Sequence, residues 1–438
     1  MSNLMLVVPD ALVALAAVVC LLNHRYPLLP RRWLPAAAAL LVLAALVVEL
    51  VVGGTIVSLF GGGFNQDRFA LFGTSALLLA ALLVILASDW EGLGSGTLGL
   101  ILLGCFGGLV VASAADLVGV WAGVQLAVLA SVAAVGQRDP SAARRLLPLA
   151  GAMAALAAIG MALLAGDAGS ERLVTLQTAL SAQLPLPLAI AVLLVLAALL
   201  VALAAGPWLG PMAVGAAGLA LLKFGGSVAA LGTAWAVLVP ALAALAMLLA
   251  AIGSLAGGPG RRILGWAGLL QLGWIVAGLA GGSRLALGAG LFLFGVYLAA
   301  SAVGPVALGE TPHGLAGLAE RSPARAAGFS VSLLSLAGIP PLAGFFGEFA
   351  VGSQLVRGGL FWLVAIGFFS SAVMAFSVLR DLRLVFLASA GEVVAPVARN
   401  RLAAGGAATA AAVLIAYTFF ANPISGLAVQ GAAALGLR

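Results

Sequence analysis

Long apolar runs, separated by short segments that hold most of the arginines, fill almost the whole of this sequence. About 14 of them approach the ~20 residues that an α-helix needs to cross a bilayer. Because backbone polar groups cannot stay unpaired in lipid, such runs can fold only as helices packed in a membrane. The sequence predicts an all-α polytopic membrane protein, with residues 1–438 forming one membrane domain. The predicted spans lie near 4–22, 33–60, 69–88, 97–114, 116–136, 143–165, 184–206, 212–233, 235–257, 262–281, 285–308, 325–354, 359–387 and 403–430.

Composition excludes the soluble classes of protein. Hydrophobic residues make up 64% of the chain and charged residues 8%. The net charge of +6 does not indicate nucleic-acid binding, because the arginines are not gathered in a polar domain. We therefore expect the lipid bilayer, and no nucleic acid, among the partners. The first apolar run lacks a basic region and a cleavage site before it, so we expect a retained helix.

The arginines also predict an orientation. Fourteen of the 19 lie on the loops and flanks that follow odd-numbered spans. Positively charged loops face the cytoplasm, so both termini are expected on the non-cytoplasmic side.

Lys223 is the only lysine, and it lies inside the apolar run Met212–Thr233. An ammonium at mid-membrane costs about 2.5–3.5 kcal/mol, so it is normally functional or paired. On a helical projection its neighbours are small apart from Leu219, which predicts that this face points into the bundle and not at lipid. Those neighbours are Ala216, Ala220, Gly226, Ser227 and Ala230.

Glu348 follows a predicted helix break. Pro340-Pro341 removes two backbone donors within the long run 325–354 and should interrupt the helix there. Gly344 and Gly352 flank Glu348 at i−4 and i+4, which predicts a packed face. Lys223 and Glu348 fit two readings that overlap, a structural pair between two helices and a proton-transfer site.

Other candidate groups have simpler explanations. Asp116 is expected to cap a helix, Asp10 to lie at the interface, and Glu49 to anchor a segment end or pair between helices. Cys20 and Cys105 lie in apolar runs and are expected to pack as small core residues. The sequence has no phosphate-binding loop, metal-ligand spacing or nucleophile–base arrangement, so neither a catalytic residue nor a metal or cofactor site is expected in this chain.

Several collinear stretches resemble the antiporter-like subunits of respiratory complex I and of Mrp-type cation/proton antiporters. Ser335–Phe349 (SLAGIPPLAGFFGEF) is similar to the broken helix of that family, and Phe361–Phe386 to the helix after it. Ala115–Ala127 (ADLVGVWAGVQLA) resembles the fifth helix, and Ser141–Gly169 the sixth. Arg261–Trp274 (RRILGWAGLLQLGW) is similar to a further helix, with Gln271 at a position where the family has histidine. The length and the sixth-helix pattern favour the N-type subunit of NADH:quinone oxidoreductase.

The resemblance implies a 14-helix fold with two inverted five-helix repeats, at 97–233 and 235–387. Residues 1–96 and 403–438 would supply flanking helices, and broken helices are expected near Pro207 and at Pro340-Pro341. The chain would be one member of a hetero-oligomer with other membrane-arm subunits in the bacterial inner (plasma) membrane. FMN and iron–sulfur clusters would belong to partner subunits, as would quinone reduction.

The resemblance also assigns candidate residues for proton transfer, namely Lys223, Glu348 and Gln125. Lys223 matches the eighth-helix lysine of the family, and Glu348 matches the twelfth-helix position, where a glutamate is more typical of the M-type subunit. Gln125 stands where the fifth-helix glutamate is expected and cannot titrate, and the seventh-helix lysine has no counterpart. The loop after the seventh helix is shortened to Gly206–Pro211.

Three functions remain open from the sequence. The first is a membrane-arm subunit of a proton-pumping NADH:quinone oxidoreductase that moves protons along a Lys223–Glu348 polar axis. The second is a non-pumping structural subunit that has lost the proton-uptake pair. The third is a subunit of an Mrp-type antiporter or a membrane-bound hydrogenase, which share this fold.

Overall fold

The computed structural model describes residues 3–27, 29–88, 90, 93–179, 186–204, 209–228, 232–257, 260–308, 315–388 and 401–435. Nearly all of these residues are helical. The first half contains α1 Val8–Arg25, α2 Leu34–Val52, α3 Arg68–Ala87, α4 Ser95–Ser113, α5 Leu117–Gly136, α6 Pro140–Ala168, α7 Leu173–Ala179, α8 Leu186–Ala204 and α9 Pro211–Val228. The second half contains α10 Gly232–Leu255, α11 Gly260–Ala280, α12 Arg284–Leu308, α13 Leu318–Arg321, α14 Pro323–Leu336, α15 Ala343–Arg357, α16 Phe361–Leu387, α17 Arg401–Phe419 and α18 Ala421–Ala434.

Eleven helices in the described part of the chain are long and apolar enough to cross a membrane, or 12 if one bent pair counts as a span. The predicted number of 14 is not established by this count. One difference arises at α8, whose apolar part, Pro187–Leu200, is shorter than a full membrane span. Another arises at α14 and α15, which are two short helices on either side of a break.

The second predicted span, 33–60, is wrong in its C-terminal part. Helix α2 ends at Val52, before Gly53 and Gly54, and Gly54 has a φ of 81° that other residues rarely adopt. The chain then forms a small antiparallel hairpin of β1 (Val57–Leu59) and β2 (Phe64–Gln66), with Ser58 opposite Asn65. This hairpin lies beside the start of α3.

Aspartates set the beginnings of three helices. Asp67 and Asp116 cap α3 and α5, where their Oδ1 atoms accept from the backbone N–H groups of Ala70 at 2.8 Å and Gly119 at 2.6 Å. Asp139 caps α6 in the same way, and its hydrogen bonds to Ser141 and Ala142 lower the pKa of this exposed carboxyl. The expected capping role of Asp116 is confirmed.

Two groups of helices pack in the same order. Helix α4 packs on α5, α5 on α6, α6 on α8 and α8 on α9, and α9 returns to α4. Helix α10 packs on α11, α11 on α12, α12 on α14 and α15, and both of these on α16, which returns to α10. Every residue of α9 from Met212 to Val228 is buried. All faces of this helix, and not just one, therefore pack against the rest of the protein.

The break at Pro340-Pro341 is present. Helix α14 ends at Leu336 and α15 begins at Ala343, with Gly338 between them at a φ of 65°. Gly344 lies so close to the Ser335 carbonyl that a side chain would not fit, which lets the two half-helices cross tightly. The other expected break, near Pro207, lies outside the described residues.

The last predicted span, 403–430, is bent and not straight. Its two parts, Ala404–Phe419 and Ala421–Ala434, meet at 77°. Pro423 accounts for the restart because it has no N–H to continue the preceding helix but fits the first turn of a new one.

Candidate functional site

Glu348 is completely buried as the sixth residue of α15, and both of its carboxylate oxygens accept hydrogen bonds. Gln271 Nε2, on α11, donates to Oε1 at 2.7 Å. Ser371 Oγ, on α16, donates to Oε2 at 2.8 Å. The break before α15 thus brings one acid against two polar side chains from two other helices. A buried carboxylate with two donors can persist as an anion inside a protein.

A second layer of contacts orients the two donors. Trp274 Nε1 donates to Ser371 Oγ at 3.1 Å, and Gln271 Nε2 also donates to the Leu336 carbonyl at 2.9 Å. Since a hydroxyl carries one rotatable proton and two acceptor sites, Ser371 can accept from Trp274 and still donate to Glu348. Rotation of that hydroxyl would let Ser371 accept a hydrogen bond from a protonated Glu348 instead.

Gly338 leaves room for the carboxyl group. A Cβ built on this residue would overlap the Glu348 carboxyl carbon and both oxygens. Its φ of 65° is in the left-handed region that glycine adopts without strain. The Glu348 carboxyl group therefore occupies the space that a side chain at position 338 would need.

Lys223 is 3% exposed, and its ammonium bonds to backbone and not to a carboxylate. Nζ donates to the carbonyls of Val111 at 3.1 Å, Ala112 at 2.6 Å and Ala114 at 2.6 Å. These three acceptors match the three protons of an ammonium. They are carbonyls at the C-terminal end of α4, which have no partner within their own helix and carry the negative end of its dipole.

Two carboxylates and one aromatic ring add to the field around Lys223. Asp67 and Asp116, the caps of α3 and α5, both attract the ammonium electrostatically. The Phe69 ring centroid lies 5.3 Å from Nζ, within the range of a cation–π contact. The ends of three helices therefore hold this cation in a fixed position.

Lys223 and Glu348 belong to separate hydrogen-bond clusters. Helix α12 packs against both α9 and α15, with Phe294 against Gly218 of α9 and Leu293 against Gly347 of α15. Both of these α12 side chains are apolar and fully buried. The structure does not bring the two predicted residues into one hydrogen-bonded axis.

Gln125 faces a third region. It is half-buried and lines a narrow crevice of about 10 Å³ between α5, α6 and α8, whose other walls are mostly apolar. Trp121, Met153 and Met161 are among those walls. The Gln125 side chain is not among the hydrogen-bond partners of Lys223.

Comparison with known proteins identifies the family. A family described as NADH:quinone oxidoreductase/Mrp antiporter, TM matches residues 114–374, which is more than half of the chain. The chain belongs to this family. As a member of the antiporter family it is a multi-pass membrane protein.

Curated relatives extend over most of the chain. It is 30% identical to NADH-quinone oxidoreductase subunit N of Rhodospirillum rubrum over 375 residues, which cover 76% of this chain and 77% of that protein. It is 28% identical to NAD(P)H-quinone oxidoreductase subunit 2 of Synechococcus elongatus over 394 residues, covering 81% and 75%.

Solved structures share the fold of this antiporter-family chain. A chain of respiratory complex I from Thermus thermophilus aligns with a TM-score of 0.76 and 23% identity, over 96% of this chain and 99% of that one. A chain of the Mrp complex from Dietzia sp. aligns at 0.78 and 20% identity, over 99% and 98%. At these identities the similarity establishes the fold and leaves the chemistry to the residues described above.

Sequence reasoning missed several polar groups. Asp381, 4% exposed on α16, was not among the acids expected within the spans, although it interrupts an apolar run next to Arg380. The recurrence of Ser370, Ser377 and Asp381 at helical spacing was the available signal. The carbonyls that bind Lys223 could not have been identified, because a backbone acceptor leaves no mark in a sequence. Among the described residues, no group of three His, Cys, Asp or Glu side chains could hold a metal ion.

Proposed function

We propose that this antiporter-family chain is a subunit of the membrane arm of a proton-translocating NADH:quinone oxidoreductase, and that Glu348 accepts and releases the transported proton. The names of its curated relatives support the complex, since both are quinone oxidoreductase subunits. This favours the quinone-linked complex over an Mrp antiporter. The observation that carries the role of Glu348 is its complete burial beside a helix break, with a hydrogen-bond donor on each oxygen.

Glu348 has the contacts that a proton-transfer group needs. With Gln271 and Ser371 donating, the carboxylate is stabilised without a cation in contact. When it gains a proton, Ser371 can turn its hydroxyl and accept the hydrogen bond that it previously gave. Gln271 and Trp274 serve as positioning residues. Gln271 orients the Glu348 carboxyl group and Trp274 orients the Ser371 hydroxyl.

Lys223 contributes a positive charge at a fixed place. Its three carbonyl acceptors and the α4 dipole stabilise the ammonium. Charge changes in neighbouring subunits would alter the field that acts on the Lys223 proton. Loss or gain of that proton would change the electrostatic potential at Glu348 through space across α12. The relay is then electrostatic between the two clusters and need not include a continuous hydrogen-bonded chain.

We also propose the inverted-repeat organisation, with units at 97–233 and 235–387. The matching order of packing in α4–α9 and in α10–α16 supports it. Because each unit has five crossings, the second would be inverted relative to the first. The orientation with both termini on the non-cytoplasmic side follows from the arginine distribution and belongs to the same proposal. FMN, iron–sulfur clusters and quinone reduction would reside in partner subunits.

The test replaces the acid and the cation in the assembled complex. Glu348→Gln keeps the shape and removes the titratable group, and Lys223→Met removes the charge. We expect both variants to lower the number of protons moved per electron pair in inverted membrane vesicles. An unchanged ratio in Glu348→Gln, with assembly intact, would contradict the proton-transfer role.

A second candidate is a non-pumping structural subunit. Gln125 favours it, since this residue cannot titrate and lies in a mostly apolar crevice away from the Lys223 contacts. Under this hypothesis Glu348→Gln leaves the proton ratio unchanged, and Gln125→Glu gives no gain in proton flux. The two candidates therefore differ in the result of the same measurement.

A further inference from the structure

Two acids lie near each other at the end of the fold where α1 begins and α2 ends. Glu49 is 1% exposed near the end of α2, and Asp10 is half-buried in the first turn of α1. The two carboxylates repel each other. Neither has a cationic side chain within ion-pair distance among the described residues. Arg68, at the start of α3, bonds to Gln430 on α18 instead. Because isolated charge is costly in a membrane interior, these acids need a counter-ion or must hold a proton.

Gln66 reaches the same place from the hairpin. It is 4% exposed on β2, and its Nε2 lies 3.5 Å from Glu49 Oε2 and 3.4 Å from the Leu6 carbonyl oxygen. Leu6 belongs to the 3₁₀ turn before α1, and Pro9, three residues later, has no N–H to donate to it in that pattern. Three segments of the chain therefore place oxygen atoms around the Gln66 amide.

Two oxygens of this group are buried without a hydrogen-bond partner among the described residues. They are Glu49 Oε1 and Gln66 Oε1. Gly53 leaves space beside Glu49, since a Cβ built on it would lie 2.8 Å from Oε1. Buried polar atoms in native proteins nearly always have a partner. Because both of these atoms are acceptors, the partner that they require is a donor or a cation.

The distances around Gln66 favour a cation of the size of Ca²⁺. An N–H···O hydrogen bond is usually about 2.9–3.0 Å long, so 3.4 and 3.5 Å are long for this amide. A half-turn of the amide would put Oε1 where Nε2 lies, in the same space. Two oxygens bound at right angles to Ca²⁺, each at about 2.3–2.6 Å, are about 3.3–3.7 Å apart. For Mg²⁺ the same separation is about 2.8–3.0 Å, which is too short for this site.

We propose that Asp10, Glu49, Gln66 and the Leu6 carbonyl form a binding site for Ca²⁺, completed by water. Two carboxylates balance the charge of a divalent ion, and amide and backbone carbonyl oxygens are ordinary Ca²⁺ ligands. The ligands come from separate segments, so their spacing in the sequence gives no sign of the site. The arginine distribution predicts that this end of the fold faces the non-cytoplasmic side. The inference is independent of the proposed role of Glu348.

Bound Ca²⁺ would fix the hairpin on α1 and α2. Strand β2 also contacts the turn between α4 and α5, where Phe64 pairs with Ala114. Beside this pair, the Ala115 N–H donates to the Gly63 carbonyl at 2.9 Å. The Ala114 carbonyl is one of the three that bind Lys223. The ion would therefore stabilise the turn that holds the Lys223 ammonium.

The test measures the binding of radiolabelled Ca²⁺ to the purified complex by equilibrium dialysis, after a chelator has removed bound metal. We expect Glu49→Gln to bind one Ca²⁺ fewer per complex than the native form. Asp167→Asn is the matched control, because it removes an exposed acid at the end of α6, and it should bind as the native complex does. Equal binding by Glu49→Gln and the native complex would overturn the site, and the two acids would then hold a proton.

Variants of Gln66 decide the matter if Glu49→Gln does not assemble. Gln66→Leu removes the amide oxygen and should raise the Ca²⁺ concentration that half-saturates this site at least tenfold. Gln66→Glu supplies a carboxylate oxygen at the same place and should retain binding. Unchanged affinity in Gln66→Leu would overturn the proposal. Competition by Mg²⁺ or Na⁺ as effective as that by unlabelled Ca²⁺, at equal concentration, would overturn the assignment to Ca²⁺.

Discussion

Ser371 donates a hydrogen bond to Glu348 at 2.8 Å and accepts one from Trp274 at 3.1 Å. These two contacts join α11, α15 and α16 at the level of the helix break. The hydroxyl is thereby placed to serve the carboxyl in either protonation state. The site is a small network, and each of its members can be tested separately.

We expect Ser371→Ala to slow proton translocation without preventing assembly. The change removes one donor from a buried carboxylate, a contact worth about 1.5–3 kcal/mol, and leaves the Trp274 N–H without its acceptor. Coupled NADH oxidation in vesicles should fall several-fold. The reference is the rate in the same vesicles after an uncoupler has made their membrane permeable to protons. Ser425→Ala, at a partly exposed serine on α18 that bonds within its own helix, should behave like the native chain. Equal rates in the two variants would contradict a role for Ser371.

The sequence predicted the all-α membrane class, most of the helices and the helix break at Pro340-Pro341. These features depend on the length of each apolar run and on the paired prolines, which are local properties of the chain. It correctly placed Lys223 and Glu348 in the interior, since neighbouring small residues indicate close packing. It did not predict that α12 would separate them, because the order of helices around a bundle depends on long-range packing. The partners of Lys223 are backbone carbonyls, which any sequence could provide. Asp381 was overlooked because an acid beside an arginine near a span end resembles an interfacial pair.

Gly338→Ala should damage the site more than strain alone predicts. Both φ and space oppose a side chain there, since the residue has a φ of 65° and a Cβ would overlap the Glu348 carboxyl. The backbone cost is about 1–2 kcal/mol, and displacement of the acid adds to it. We expect lower stability, measured by thermal inactivation of the complex. We also expect fewer protons moved per electron pair, measured by acidification of the vesicles.

Gly359→Ala provides the matched control for that change. Gly359 has a φ of 78° but nothing lies within 4 Å of a Cβ built there. The Gly359→Ala variant should lose stability because of its backbone conformation, but it should still translocate protons. If both glycine variants translocate protons equally, the space that Gly338 leaves for Glu348 has no functional importance.

Lys223→Met should destabilise the chain by more than the loss of one contact. It leaves three buried carbonyls at the end of α4 without a donor, and each unsatisfied group costs about 1–3 kcal/mol. Lys223→Gln retains two N–H donors without the charge, so it should recover part of the stability. Thermal inactivation of the purified complex measures the stability effect. The proton ratio measures the effect of the charge, and a full recovery of both by glutamine would show that the charge is not required.

Gln271→Leu should have a stronger effect than Gln271→His. Gln271 Nε2 is shared between Glu348 Oε1 at 2.7 Å and the Leu336 carbonyl at 2.9 Å, so it ties the acid to the end of α14. Leucine removes both bonds and leaves a buried carboxylate with Ser371 as its remaining donor, which should favour the protonated acid and slow proton release. Histidine keeps one N–H that can point at the carboxylate, so translocation should be partly retained. The measurement is the rate of coupled NADH oxidation in vesicles, which should be lower in the leucine variant than in the histidine variant. Equal rates in the two variants would contradict the positioning role of Gln271.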